Sequence, residues 1–206
     1  MRNAVEIRSH VDKTLLTAGV DEAGCGCWAG HLVVASVIMP KDHGIVGIND
    51  SKVLSEKKRE ELFPKIIEKA IDYAIVLIEP QEIDNLNILE ARMEGFRRSL
   101  LALKKVDYAI IDGNRLPKNM DLDMDYIVDG DALYTEIGCA SILAKVTRDR
   151  LITEQALLYP GYGFEKHKGY GTKLHSEMLQ KLGVTPIHRQ SYKPIQKVLA
   201  LQAQKF

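Results

Sequence analysis

The sequence predicts an α/β fold in which a mixed β-sheet is flanked by helices. Two observations lead to this class: short apolar segments rich in β-branched residues recur along the chain, and amphipathic segments of helical period lie between and after them. The first two apolar segments follow each other directly, whereas helical patterns separate later ones, which favours a mixed sheet. With 206 residues, 46% of them apolar, the chain can form one full core and at most a small appendage.

Five strands are expected at the apolar segments. They cover residues 16–21, 32–39, 73–78, 106–111 and 126–128. Each segment contains the β-branched residues that are enriched in strands. Acidic residues stand at the end of the first segment and soon after the fourth and fifth. The strand ends are therefore the places where chemistry is expected.

Two helices are expected between the strands. Ser55 is suited to cap the first, which extends to about Tyr73, although Pro64 should kink it or shift its start. The second covers about residues 87–105, because apolar residues recur there at three- and four-residue steps. Its expected core face consists of Leu89, Met93, Phe96, Leu100 and Leu103.

Three more helices are expected in the second half of the chain. A long helix from Tyr134 to about Leu158 carries a run of small residues, which would let it lie close to the sheet. Thr172 is suited to cap the next helix and Gly183 to end it. A last amphipathic segment covers about residues 193–204.

Composition excludes several classes of protein. Lys plus Arg and Asp plus Glu both total 28, so the net charge does not indicate a nucleic-acid partner, and any affinity for a polyanion must come from local clusters. The three cysteines lack the paired spacing of a zinc site. The N-terminus lacks the apolar segment of a signal peptide, and no segment is long enough to span a membrane. We therefore expect a cytoplasmic protein without a membrane partner.

Acidic residues at strand ends are the most informative feature. Asp21 and Glu22 stand side by side where the first strand runs into glycines, Asp112 follows the fourth strand, and Asp129 and Asp131 follow the fifth. One such residue alone more often caps a turn. Adjacent carboxylates repel each other, however, and a fold that collects them usually provides a cation. Four acids from three segments predict a divalent-metal centre, although spacing alone does not choose between Asp129 and Asp131.

Six motifs resemble the ribonuclease HII family, the type 2 ribonucleases H. They are Gly-Val-Asp-Glu-Ala-Gly at 19–24, Ile-Asn-Asp-Ser-Lys at 48–52, Ile-Asp-Gly-Asn-Arg at 111–115, Gly-Asp-Ala at 130–132, Ala-Ser-Ile-Leu-Ala-Lys-Val-Thr-Arg-Asp-Arg at 140–150 and His-Lys-Gly-Tyr at 167–170. The resemblance covers about residues 17–195. It implies a ribonuclease H-like catalytic domain at residues 1–183, with a helical C-terminal segment at 184–206 packed on it or appended to it.

The resemblance also implies an activity. It is the hydrolysis of the RNA strand of RNA–DNA hybrids and nicking at ribonucleotides embedded in duplex DNA, with 5′-phosphate and 3′-hydroxyl products. Two Mg²⁺ or Mn²⁺ ions would act in this reaction, since carboxylate oxygens suit hard cations. The match to Gly-Asp-Ala selects Asp131 over Asp129. The implied catalytic and metal-binding residues are therefore Asp21, Glu22, Asp112 and Asp131.

Substrate contacts follow from the same resemblance. The glycines after the first strand would let the backbone approach the ribose, and Tyr170 would stack on a deoxyribose at the RNA-to-DNA junction. The implied contact residues are Gly24, Cys25, Gly26, Ser51, Lys52, Lys145, His167, Lys168 and Tyr170. Without the resemblance, a tyrosine among glycines is an ordinary surface anchor, and a lysine in a loop is a solvated charge.

Cys25 departs from the family pattern, which has Arg or Lys between the two glycines. With cysteine at this position, a preference for single embedded ribonucleotides is in doubt. A bare thiol here also suggests a site that is sensitive to oxidants. Two alternatives remain open: ribonuclease HIII-like specificity with weak activity on single ribonucleotides, and a non-catalytic hybrid-binding protein. We expect a monomer. Residues 200–206 are a weak match to tails that bind polymerase clamps.

Overall fold

The computed structural model describes residues 2, 4–14, 16–49 and 51–204. Within this part of the chain the strands are β1 Thr17–Ala23, β2 Leu32–Ile38, β3 Asp72–Ile78, β4 Tyr108–Asp112 and β5 Met124–Ile127. The helices are α1 Ala4–Lys13, α2 Glu56–Lys69, α3 Pro80–Leu86, α4 Ile88–Leu101, α5 Thr135–Leu158, α6 Phe164–His167, α7 Lys173–Leu182 and α8 Lys193–Ala203, with a 3₁₀ turn at Gly130–Ala132. None of these helices is long and apolar enough to cross a membrane.

The strands form one mixed sheet in the order β3-β2-β1-β4-β5. β2 pairs with β1 and β3 in antiparallel register, whereas β4 pairs with β1 and β5 in parallel register. The expected α/β fold with a mixed sheet is therefore confirmed. Because β1, β4 and β5 run in the same direction, their C-terminal ends meet at one edge of the sheet, where Val20 lies opposite Ile111.

Two helical layers cover the faces of the sheet. Val33, Ala35 and Val37 of β2 pack with α2 and α5, while the alternate residues pack with α4. The long helix α5 lies close to β1, as expected: a Cβ on Gly19 would be 2.1 Å from the carbonyl carbon of Glu136. Only glycine fits at this crossing.

The expected helices differ from the structure in three details. α2 ends at Lys69 and not near Tyr73, which belongs to β3. The start of α2 is not shifted by Pro64: Ser55 caps the helix, and the helix continues through the proline because Leu62 and Ile66 are buried on either side of it. Leu89 is 50% exposed and does not belong to the core face of α4. Gly95 faces the sheet instead, where a Cβ would be 2.6 Å from a methyl carbon of β2.

Helices α1, α3 and α6 were not expected from the sequence. Among the described side chains of α1, Ile7 and Val11 are buried, in a cluster with Tyr108 and Ile110 of β4. An ion pair holds this end of the chain on β5, since Arg2 Nη1 lies 2.6 Å from Asp125 Oδ2. Asp125 is buried in this ion pair and also accepts a hydrogen bond from the Tyr108 hydroxyl.

Candidate active site at the ends of strands β1 and β4

Three segments that carry carboxylates meet at the C-terminal edge of the sheet. Asp21 and Glu22 lie near the end of β1, Asp112 is the last residue of β4, and Asp131 lies in the 3₁₀ turn. The Gly130 N–H donates to Asp112 Oδ1 at 2.8 Å, which holds the turn against the end of β4. The fold therefore brings the three segments that carry the four acids to one edge of the sheet.

Asp21 lies at the centre of the negative charge. It is 4% exposed, and burial raises its pKa well above the usual range, with further increases from the charges of Glu22 and Asp112. Burial also raises the pKa of Glu22 and that of Asp112. Ionised carboxylates therefore repel each other here, and a cation bound among them would relieve this repulsion.

Hydrogen bonds fix the orientation of Asp21. The Glu22 N–H donates to Asp21 Oδ1 at 2.7 Å, and the Ser141 hydroxyl is a further hydrogen-bond partner. Ser141 Oγ in turn lies 2.8 Å from Ser51 Oγ. Ser51 is buried, so its hydroxyl contacts Ser141 and thereby supports Asp21. It does not face outward, the position expected of a residue that contacts substrate.

Two cations accompany the carboxylates. Arg92 of α4 places Nε 2.9 Å from Glu22 Oε2, and its Nη2 donates to the carbonyl oxygen of Asp112 at 2.9 Å. Lys52 Nζ lies 3.7 Å from Asp131 Oδ2 on a largely exposed side chain. The negative charge is thus partly compensated by a largely buried arginine and an exposed lysine. Asp50, which precedes these loop residues in the expected motif, lies outside the described residues.

The donor set fits divalent cations such as Mg²⁺ and Mn²⁺, because these hard ions prefer carboxylate oxygens. Among the described residues, no group of three acidic, histidine or cysteine side chains could hold an ion as it stands. Glu22 is engaged by Arg92, so its participation as a ligand requires its carboxylate to be shared or to turn. Asp21 is the residue at which a cation would relieve most repulsion.

The glycine loop, residues 24–30, borders these acids. Gly24 has φ +104°, and a Cβ there would be 2.4 Å from Arg148 Nε, so that position requires glycine. Gly26 is exposed, and a Cβ there would have no neighbour within 4 Å. The loop therefore offers an open stretch of backbone at Gly26.

The Cys25 side chain is directed into the protein. Its thiol donates to Glu22 Oε1 at 3.4 Å and packs beside the buried Leu32 and Ile83. Burial raises the pKa of this thiol far above its usual value, with a further contribution from the Glu22 charge. A thiol that stays protonated is slow to oxidise, which argues against the suggested oxidant sensitivity. The side chain also does not take the outward position of a phosphate-binding cation.

Tyr170 lies beside the glycine loop and forms a β-bridge with Cys27. The residue is 41% exposed. Lys145 Nζ and Arg148 Cζ lie 5.5 and 5.3 Å from its centroid, in cation–π contact. The long helix α5 therefore supports the ring while leaving much of it exposed, an arrangement that suits stacking on a sugar.

His167, one of the implied substrate contacts, lies inside the protein and not on the surface beside Tyr170. It is 8% exposed, and its ring nitrogens lie 2.9 Å from the Tyr162 carbonyl oxygen and 3.2 Å from the Gly169 nitrogen. The imidazole also stacks on His175 with a centroid separation of 4.4 Å. His167 is the last residue of the short helix α6. Its contacts with Tyr162 and Gly169 stabilise the loop that carries Tyr170.

The two lysines expected near Tyr170 are both paired. Lys145 Nζ lies 2.9 Å from Asp149 Oδ1, and Lys168 Nζ donates to Thr153 Oγ1 at 2.9 Å. Their charges are therefore held close to the surface of α5. A phosphate that reached either lysine would have to compete with these partners.

Arg92 was missed by the sequence analysis although a signal was present. It stands four residues before Phe96, on the expected core face of its helix. A charge on a core face needs a partner, and the acids at the strand ends were the available ones. Ser141 was noted only for its small size, because nothing in the sequence indicates that its hydroxyl reaches Asp21.

The fold and the carboxylate cluster define a nuclease of the ribonuclease H class. A family model described as Ribonuclease HII matches residues 18–195. Ribonuclease HII of Marinomonas sp. (strain MWYL1) is 51% identical over 185 residues, which are 89% of this chain and 93% of the relative. The chain belongs to the ribonuclease HII family and is a ribonuclease H-type endonuclease.

Solved structures agree with this assignment. Ribonuclease H2 from Pyrococcus horikoshii OT3 superposes with a TM-score of 0.81 at 29% identity and covers 91% of this chain and 99% of that one. RNase HII from Archaeoglobus fulgidus, solved in complex with PCNA, gives a TM-score of 0.74 at 27% identity over 87% and 96% of the two chains. The expected ribonuclease H-like fold is thereby confirmed.

Proposed function

We propose that the protein hydrolyses the RNA strand of RNA–DNA hybrids and nicks at ribonucleotides embedded in duplex DNA, with 5′-phosphate and 3′-hydroxyl products. The observation that carries the proposal is the juxtaposition of two features. Buried Asp21 lies among acidic neighbours, and the open backbone of Gly26 and the exposed ring of Tyr170 lie on the adjoining loops. The first suits phosphodiester chemistry, and the second suits contact with a sugar.

Asp21, Glu22, Asp112 and Asp131 would hold two Mg²⁺ or Mn²⁺ ions. Such ions activate an attacking water and stabilise the charge on the leaving 3′ oxygen. The chain's own contribution is orientation: the Glu22 amide and Ser141 hold Asp21 in place. Arg92 limits the repulsion among the acids until substrate and ions arrive.

Substrate recognition depends on the ribose 2′-hydroxyl, which can both donate and accept a hydrogen bond. Gly26 supplies backbone groups that a sugar can approach closely. Tyr170 would stack on the deoxyribose at the junction, and the exposed Lys52 would contact a backbone phosphate beside Asp131.

A preference for long hybrids over single embedded ribonucleotides is a second candidate function. The observation that favours it is the inward side chain of Cys25, which supplies no positive charge to a phosphate at this position. A fully formed charge-assisted contact contributes about 1.5–3 kcal/mol. Its absence would weaken binding most where only one ribonucleotide is available for recognition.

Cleavage of end-labelled duplexes tests both candidates. The substrates are duplex DNA with one ribonucleotide, a continuous RNA–DNA hybrid and an all-DNA control, each with Mg²⁺, Mn²⁺ or a chelator. Nicking at the single ribonucleotide, dependent on the cation, is the expected result. Cleavage of the continuous hybrid alone would support the second candidate. Tight hybrid binding without any cleavage would favour a binding protein and overturn the proposal.

We also propose that the protein acts as a monomer in the cytoplasm, with residues 1–183 as the catalytic domain and residues 184–206 packed on it. Ile195 and Val198 of α8 pack against Leu179 of α7, which supports a docked C-terminal segment. A sliding clamp is a further candidate partner, because the Archaeoglobus fulgidus relative is bound to PCNA. Light scattering after gel filtration, with and without a clamp protein, tests both the monomer and this partner.

A further inference from the structure

A buried arginine lies beneath the glycine loop. Arg189 is 0% exposed, and within the described part of the chain it forms no ion pair with an acid. Its guanidinium instead donates to backbone carbonyls: Nε and Nη2 to Gly30 at 3.1 and 3.0 Å, and Nη1 to Cys25 at 3.1 Å. Because burying a charge is costly, these charge-assisted bonds must hold the two carbonyls firmly.

Tyr192 completes the contact with Cys25. Its hydroxyl donates to the Cys25 carbonyl at 2.7 Å and accepts a hydrogen bond from Arg189 Nη1 at 2.9 Å. The Cys25 carbonyl therefore receives two donors from inside the protein. The Cys27 N–H, which bonds to the Gly24 carbonyl at 3.3 Å, closes the turn around the same peptide.

The geometry of the peptide bond extends this constraint to Gly26. In a planar trans peptide, the C=O of one residue and the N–H of the next point in opposite directions. Because the Cys25 carbonyl points inward to Arg189 and Tyr192, the Gly26 N–H points outward. Gly26 is exposed, with open space at its Cβ position, and none of the described residues accepts a hydrogen bond from its N–H.

We infer that Arg189 and Tyr192 are positioning residues that aim the Gly26 N–H at the ribose 2′-oxygen of the substrate. The inference rests on the proposed function and adds the device that keeps this donor fixed. An N–H donor held in a fixed direction can form a hydrogen bond with a 2′-oxygen, whereas a deoxyribose offers no acceptor at this position. Relaxing the Cys25–Gly26 peptide should therefore reduce the preference for ribose more than it reduces binding of duplexes in general.

Tyr192→Phe tests the inference with the removal of one hydroxyl. Tyr162→Phe is a matched control, because the Tyr162 hydroxyl is also buried and donates to a backbone carbonyl, that of Gly183, at 2.7 Å. The assay compares the affinities for duplex DNA with and without one ribonucleotide in the presence of a chelator, and then kcat and KM with Mg²⁺. We expect the ribose preference to fall about 3- to 10-fold in Tyr192→Phe and to stay unchanged in Tyr162→Phe.

Amide NMR of the free protein provides a second measurement that requires no catalysis. The Gly26 N–H signal should shift in Tyr192→Phe and keep its position in Tyr162→Phe, with similar melting temperatures for the two variants. An Arg189→Lys variant that folds should lose more ribose preference than Tyr192→Phe, since lysine keeps the charge but cannot bond both carbonyls as a fork.

Two results would overturn the inference in distinguishable ways. If the wild-type protein prefers ribose and Tyr192→Phe retains the same preference, the positioning role is wrong while the proposed function stands. If the wild-type protein shows no preference for ribose in either assay, the proposed nicking at embedded ribonucleotides fails and the inference fails with it.

Discussion

Gly24 and Gly26 stand two positions apart but have different physical requirements. Gly24 combines a positive φ with a neighbour, Arg148, that would collide with any side chain. Gly26 has neither constraint in the free protein. A requirement for glycine at position 26 would therefore come from what binds there.

Gly26→Ala separates folding from substrate contact. The melting temperature should stay within about 1–2 °C of wild type, as for an unconstrained surface substitution. Cleavage at an embedded ribonucleotide should fall on the order of 10- to 100-fold, because the added methyl displaces the sugar. Gly24→Ala should instead lose about 1–3 kcal/mol of stability. Full cleavage by a folded Gly26→Ala protein would show that substrate does not approach this backbone.

Arg92 is the fixed cation of the carboxylate site, so its removal should change metal affinity. Arg92→Met keeps an unbranched side chain of similar length without the charge. We expect Mn²⁺ to bind about 3- to 10-fold more tightly by calorimetry, since a positive charge no longer opposes the ion. Arg97→Met is the matched control, because Arg97 pairs with Glu94 on the same helix. Weaker Mn²⁺ binding by Arg92→Met would instead show that Arg92 orients Glu22 for ligation.

At the scale of elements, two buried histidines join α7 and the segment after it to the Tyr170 loop. Thr185 N–H donates to His188 Nδ1 at 3.0 Å, the Nε2 atoms of His188 and His175 are 3.1 Å apart, and His175 Nδ1 lies 2.9 Å from the Tyr170 carbonyl oxygen. A neutral tautomer of each ring satisfies this chain of bonds. Burial lowers the pKa of each histidine to about 4.

These pKa values predict a loss of stability in mild acid. Above pH 6.5, the pKa of histidine in the unfolded chain, both histidines are neutral and contribute their full stabilisation. This contribution to the free energy of unfolding is lost as the pH falls toward about 4, the pKa in the folded protein. Between pH 6.5 and 5 the free energy of unfolding should fall on the order of 1–2 kcal/mol per histidine. Urea unfolding at a series of pH values measures this slope, which should be smaller in His175→Gln. Equal slopes in both proteins would contradict the assignment.

Elements with a strong pattern of buried apolar residues could be predicted from the sequence, and those with a weak pattern could not. The five strands carry apolar segments with β-branched residues, and their predicted bounds lie close to the observed ones. Among their described side chains, helices α1 and α3 bury two residues each, and this pattern is too weak to identify them. In the site, the acids could be singled out because they lie at strand ends. The inward direction of the Ser51, Cys25 and His167 side chains depends on tertiary contacts that the sequence does not display.

At the scale of the whole molecule, we expect the carboxylate site to lower the free energy of unfolding when no cation is bound. Asp21 is buried among like charges, so Asp21→Asn should stabilise the metal-free protein. The Asn side-chain oxygen can still accept the bond from the Glu22 amide. A gain of about 1 kcal/mol would raise the melting temperature by about 2–4 °C, while cleavage should be abolished. A lower melting temperature in a chelator would show that repulsion at Asp21 is not the dominant effect.

The long helix α5 has a consequence for where a strand would be cut. Ser141, beside Asp21, and Arg148, beneath Tyr170, stand seven residues apart on this one helix, a rise of about 10 Å. Its backbone is seated directly on β1 at Gly19, so this spacing cannot readily stretch. If the proposed function holds, the helix would fix the distance between the phosphate at Asp21 and a sugar stacked on Tyr170. It would then set the cut at a constant number of nucleotides from the junction, whatever the base sequence.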